Sequence, residues 1–154
     1  MSSTDTDPAT TMSVNAAAVA EIYAAFGRGD VAAILERLAD DVAWDTWPRN
    51  YAQETGVDHL SARRGPSEVA EFFTVIADWT VLAFDVQDII GTGDQVVAQI
   101  HAEFDLPGGG RLHDEELHLW TFDDHGRVRA FRHYTDTAKH IAAQAGADTT
   151  PHKR

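Results

Sequence analysis

Residues 80–135 constrain the fold more than any other part of the chain. Four runs there, Thr80–Ile90, Gln95–Leu106, Arg111–Phe122 and Arg127–Thr135, repeat with a period of two. They are separated by the turn sequences GTGD, PGGG and DDHG. Four strands joined by tight turns must pair antiparallel with their sequence neighbours. A sheet of that size needs cover on at least one face.

The cover comes from the N-terminal half. Val19, Ile22, Tyr23 and Phe26 follow the spacing of a helical stripe that ends at Gly27 and Gly29. Asp30 is placed to cap a second helix, where Val31, Ile34, Leu35 and Leu38 repeat the stripe. Val42 to Thr46 is a short strand stopped by Pro48, and residues 48–66 form a long polar loop. Ser67 is expected to cap a third helix buried through Val69, Phe72, Phe73 and Ile76. A short helix near Ala138–Ala145 ends at Gly146. The expected class is α+β: a curved antiparallel sheet packed against about three N-terminal helices and a short C-terminal one. The domain spans 14–146, between disordered tails at 1–13 and 147–154.

Composition narrows function mainly by exclusion. The 154 residues suit a single core, and 44% of them are apolar. A formal net charge of −13 repels nucleic acid and anionic membranes. The same charge disfavours a highly anionic substrate, unless Arg63 and Arg64 make a local exception. There is no cysteine, hence no thiol chemistry. No apolar run spans a membrane and the N-terminus lacks the pattern of a secretory signal, so a cytoplasmic location is expected.

Candidate chemistry lies on the last strands. His118 and His133 stand among Trp120, Phe131 and other apolar residues, as in a polar-lined pocket wall. If the PGGG turn pairs Leu106 with Arg111, then Gln99 faces His118 and His101 faces Glu116. One sheet face then holds Val97, Gln99, His101, Glu103, Glu116, His118 and Trp120. The other, wholly apolar, holds Val96, Ala98, Ile100, Ala102, Leu117 and Leu119. Histidine can accept and donate a proton in one turnover. Asp45, beside Trp44 and Trp47, is a possible base. Asp136 is expected to cap the last helix. His101, His118 and His133 could converge on zinc, but no HxH or HExxH spacing supports this, and neither a metal nor another cofactor is expected.

Four segments in this order carry a family resemblance: IYAAFGRGD, LADDVAWD, RRGPSEVAEFF and LWTFDDHGRVRAFRHYTDT. Over residues 14–146 the chain resembles the nuclear-transport-factor-2-like superfamily, and within it the SnoaL-like polyketide cyclase and ketosteroid isomerase branch. The resemblance implies a cone-shaped sheet around a pocket, with a convex face that pairs two subunits. The apolar face would then be the dimer surface. His118 falls where the isomerases place an oxyanion donor and the cyclases a histidine. His133 falls where cyclases place a catalytic Asp. The isomerase base maps to Asp45 or Thr46, and the isomerase tyrosine to Ile22, with Tyr23 beside it. The Arg and Asp pair of related epoxide hydrolases maps to Gln99 and His101, so that mechanism is not expected.

The expectation is a cofactor-independent isomerase, cyclase or dehydratase acting on a hydrophobic oxygenated molecule, such as a polyketide, terpenoid or steroid-like ketone. His118, His133, His101 and Asp45 would be catalytic, and Trp44, Trp47, Phe73, Gln99, Trp120 and Phe131 would bind substrate. The alternative is a binding or accessory dimer of the same fold.

Overall fold

The computed structural model describes residues 13–152. The elements, in order, are helix α1 (Val14–Gly27), helix α2 (Val31–Leu35), strand β1 (Leu38–Trp44), helix α3 (Tyr51–Glu54), a 3-10 turn (Asp58–Leu60), strand β2 (Arg63–Arg64), helix α4 (Gly65–Ala77), strands β3 (Thr80–Ile90), β4 (Gln95–Asp105), β5 (Arg111–Phe122) and β6 (Val128–Tyr134), and helix α5 (Thr137–Gln144). Six strands form one sheet in the order β2-β1-β6-β5-β4-β3. The expected antiparallel sheet is in fact mixed, because β1 runs parallel to β6. The class is α+β, with a curved, unclosed sheet. Bulges in the β3–β4 and β5–β6 ladders supply local bends.

The helices lie on the concave side. Val19 and Ile22 of α1, with Val69, Phe72 and Phe73 of α4, are buried in one cluster with Val96, Ala98, Ile100, Ala102 and Phe104 of β4. Burying such side chains contributes roughly 1.5–3 kcal/mol each, which is why this stripe fixes the helices on the sheet. Ser13 caps α1 by accepting from the Ala16 N–H, and Asp30 caps α2 as expected.

Several boundaries differ from the sequence expectation. Leu38 belongs to β1, which therefore begins four residues early. Helix α4 starts at Gly65 rather than after Ser67: Glu68 accepts from the Arg64 N–H at 2.8 Å, and Pro66 suits the first turn. Gly65 has φ of +78°, where a side chain would be strained. The polar loop contains α3 and the 3-10 turn. Asp136 occupies the position before α5 without a side-chain capping bond. The stretch after Gly146 is not wholly free. The Arg111 N–H donates to the Ala147 carbonyl and the Thr149 N–H to that of Arg111, so this segment lies along β5. Of the expected N-terminal tail, residues 1–12 lie outside the described residues.

The main correction concerns register. Leu106 pairs with Gly110, leaving Pro107, Gly108 and Gly109 as a three-residue loop with Gly109 at φ +92°. A slip of one residue turns every side chain of the partner strand to the other face. Ala98 therefore faces His118, and Gln99 faces Leu117. His118, Trp120 and Glu116 share the concave face with Val96, Ala98 and Ile100. Val97, Gln99, His101 and Glu103 stand with Leu117 and Leu119 on the convex face. The wholly apolar face expected from sequence does not exist.

Candidate active site

A cavity of about 70 Å³ lies between α1, α4 and the sheet. Its wall is mostly aromatic: Tyr23, Trp44, Phe72, Phe73, Trp120 and Phe131 all contribute. Five titratable side chains also reach it, namely His59, Glu116, His118, His133 and His140. They fall into two hydrogen-bonded groups.

The first is a dyad. His133 Nδ1 lies 2.7 Å from Asp45 Oδ2, and Asp45 Oδ1 accepts from the His133 backbone N–H at 2.8 Å. Asp45 is therefore gripped by one residue twice. It is buried, directly follows β1, and has φ of 52°, a conformation uncommon outside glycine but tolerated by Asp. Gln53 Nε2 donates to the Asp45 carbonyl at 2.6 Å and holds that turn. In the neutral imidazole, with Nδ1–H donated to the carboxylate, Nε2 of His133 carries the lone pair. It takes no hydrogen bond among the described residues.

The second group is a chain. Tyr23 and His118 Nδ1 are 2.6 Å apart, and His118 Nε2 is 2.8 Å from Glu116 Oε1. His140 Nε2 lies 2.9 Å from Glu116 Oε2 and 2.8 Å from Asp114 Oδ2, while its Nδ1 is 2.8 Å from His59 Nε2. Electrostatics fix the direction of each bond. Burial lowers the His118 pKa, only partly offset by Glu116, so His118 is neutral. Burial holds the Tyr23 phenol far above its ordinary value despite the Trp120 bond. Burial alone would raise Glu116, yet its bonds to His118 and His140 outweigh that and hold it well below the usual carboxylate range. Burial likewise opposes charge on His140, but Asp114 and Glu116 raise it to about 9. Burial raises Asp114, opposed by the His140 bond. Burial and the neighbouring His140 keep His59 neutral.

It follows that Tyr23 O–H donates to His118 Nδ1 and His118 Nε2–H donates to Glu116. His140 is an imidazolium that donates to both carboxylates and to His59. Trp120 Nε1–H donates to the Tyr23 oxygen at 3.1 Å. Both nitrogens of His118 are thus engaged by protein groups, and the hydroxyl at the cavity is that of Tyr23. The indole N–H of Trp44 and Nδ1 of His59 are buried without partners. Such orphaned groups cost roughly 1–3 kcal/mol and suit a ligand acceptor.

The cavity therefore collects His118, His133, Trp44, Phe73, Trp120 and Phe131, with Asp45 directly behind His133. Three expected residues are elsewhere. His101 and Gln99 point to the convex side because of the register slip. Trp47 packs against Tyr134, with centroids 4.9 Å apart, and lies under the Arg132 guanidinium. The expected convergence of His101, His118 and His133 is absent for the same reason. Arg63 is buried and spent on Ser61, Asp58 and Phe72. The sequence reading missed the site roles of Tyr23, Asp114, Glu116, His140 and His59. The alternation of Asp114, Glu116, His118 and Trp120 on β5 was a usable signal. His59 offered none, since only the fold brings its loop to α5.

The sequence matches the model of the SnoaL-like domain over residues 19–131. No curated protein matches. Among solved structures, an NTF2-like protein of unknown function from Burkholderia pseudomallei is 28% identical, with a TM-score of 0.71 over 86% of this chain and 98% of its own. An NTF2-like protein from Burkholderia thailandensis is 23% identical, with a TM-score of 0.72 over the same shares. TerC, co-crystallised with polyporic acid, is 24% identical, with a TM-score of 0.64 over 80% of this chain and 92% of its own. A domain match that covers most of the chain, on a cone-shaped fold shared with these structures, places this protein in the SnoaL-like domain family of the NTF2-like superfamily.

Proposed function

We propose that the chain is a small acid–base enzyme of the isomerase, cyclase or dehydratase kind, acting on a hydrophobic oxygenated molecule such as a polyketide, terpenoid or steroid-like ketone. The observation that carries this reading is the Asp45–His133 dyad, with an unbonded Nε2 at an aromatic cavity. Asp45 fixes the tautomer and orientation of His133, so Nε2 is the base that removes a proton from carbon. The electrons move onto the ligand oxygen. Tyr23 supplies the hydrogen bond there by turning its O–H from His118 Nδ1 to the ligand. Its raised pKa makes it a donor rather than a proton source. His133 then returns the proton to a second carbon, or to a leaving hydroxyl. His118, Glu116 and His140 act behind Tyr23 as positioning residues.

A second reading is a non-catalytic binding or accessory protein, and the size of the cavity favours it. Ligand sites commonly run from about 300 to 1,000 Å³, against about 70 Å³ here. A polycyclic ligand would enter only with movement of the lining rings. Under either reading we propose a homodimer through the part of the convex face where Ile90, Leu117 and Tyr134 are exposed, toward the strand ends remote from the Pro107–Gly109 loop.

A thermal-shift screen with phenols and ketones of graded size separates the readings when run on wild type, His133→Ala and Tyr23→Phe. A ligand at a hundred times its dissociation constant adds about 2.7 kcal/mol. The enzyme reading expects a stabilising ketone that wild type slowly converts and His133→Ala binds unchanged. Binding without conversion supports the second reading.

A further inference from the structure

The convex face carries another convergent group, unconnected to the cavity. His101 and Glu103 are two residues apart on β4 and so point to the same side. His113 on β5 is directly opposite Glu103. His101 Nε2 lies 2.8 Å from Glu103 Oε2, and His113 Nε2 lies 3.6 Å from the same oxygen. The two imidazole rings meet at 78°, with centroids 5.0 Å apart. One ligand atom from each of the three residues lies within 4.8 Å of the other two. Each side chain is only 19–30% exposed, which shields the group yet leaves it open to ions.

His113 is the informative member. Its Nδ1 is buried without a partner, and 3.6 Å is too long for a hydrogen bond from Nε2. Neither ring nitrogen is satisfied among the described residues. Its backbone is nonetheless pinned, since the N–H donates to Thr149 Oγ1 at 2.8 Å. The neighbouring charges favour a cation. Asp85 and Glu115 are the cross-strand partners of His101 on either side. The nearby Arg111 is already engaged by Asp105 at 2.7 Å.

We propose that His101, Glu103 and His113 bind a divalent transition-metal ion of the zinc type, with water in the remaining positions. Two imidazoles and a carboxylate suit zinc, whereas magnesium and calcium prefer oxygen ligands throughout. Paired strands hold the three residues more precisely than a loop would. The site lies toward the Pro107–Gly109 loop, and the cavity chemistry does not depend on it.

Isothermal titration of the full, tag-free chain with zinc chloride tests this. One ion per chain is expected. The His101→Ala/His113→Ala double variant should weaken binding by at least about tenfold, the lower end of what losing even a supporting residue does at metal sites. Glu103→Gln, which keeps side-chain shape, should weaken it without changing the melting temperature. His125→Ala, at an exposed turn, should change nothing. The proposal is overturned if no saturable one-to-one binding occurs, or if the double variant binds as wild type does. It is equally overturned if binding is lost in His118→Ala/His133→Ala instead.

Discussion

At the scale of single residues the account turns on His133 and the carboxylate behind it. Replacing His133 by Ala removes the base and should lower turnover by about 10²–10⁴-fold. It also removes one of the two hydrogen bonds that hold buried Asp45, the backbone N–H of residue 133 remaining, which should cost roughly 1.5–3 kcal/mol in denaturant titration. Asp45→Asn is the sharper probe. It keeps the shape but lets His133 take the wrong tautomer, so kcat should fall while ligand affinity holds. An Asn variant with unchanged kcat would remove Asp45 from the mechanism. Both residues were singled out in the sequence, His133 from its aromatic neighbours and Asp45 from Trp44 and Trp47 beside it and from the isomerase base position that the family resemblance implies. The contacts of Tyr23 were not, because one position along α1 decides which side chain meets His118. His59 and His140 were invisible for a different reason: they are 81 residues apart and meet only through folding.

At the scale of elements, the loop between β4 and β5 decides which residues see the cavity. The sequence made both strands plain and left their register open. PGGG can be divided as a four-residue turn or as a three-residue loop plus one paired glycine, and the two divisions exchange the faces. The chain adopts the second, and His101 and Gln99 leave the site with it. Gly110, the paired glycine, also touches α5: a Cβ there would press on the backbone carbonyl of Ala143. Gly110→Ala should therefore destabilise the fold by about 1–3 kcal/mol through overpacking. Because α5 carries His140, the same change should disturb the buried histidine chain. Chemical-shift changes at His59 and His118 would show this. Their absence would mean that α5 moves as a unit without loosening the chain.

At the scale of the whole molecule, the buried chain fastens together pieces distant in sequence: α1 through Tyr23, the polar loop through His59, β5 through Glu116 and α5 through His140. Its charge makes stability depend on pH. The His140 pKa is raised to about 9 in the fold, against about 6.5 unfolded. The stabilisation is therefore fully present below about pH 6.5 and is lost as pH rises through about 9. The melting temperature of wild type should fall across that window, and His140→Gln should flatten the fall. Parallel curves would show that the imidazolium does not hold the elements together. Among the described residues no helix is long and apolar enough to cross a membrane. The cone, its helical cover and its mixed polar and aromatic interior thus meet in one small cavity, where the proposed proton transfer would occur.

The most direct test of that transfer is solvent-deuterium exchange. Small cyclic ketones and β-diketones would be incubated with the protein in D2O and followed by mass spectrometry. The account predicts deuterium entering the carbon next to the carbonyl faster with wild type than with buffer, and at the buffer rate with His133→Ala. Exchange that is equally fast with wild type and His133→Ala would contradict the assignment of His133 as the base.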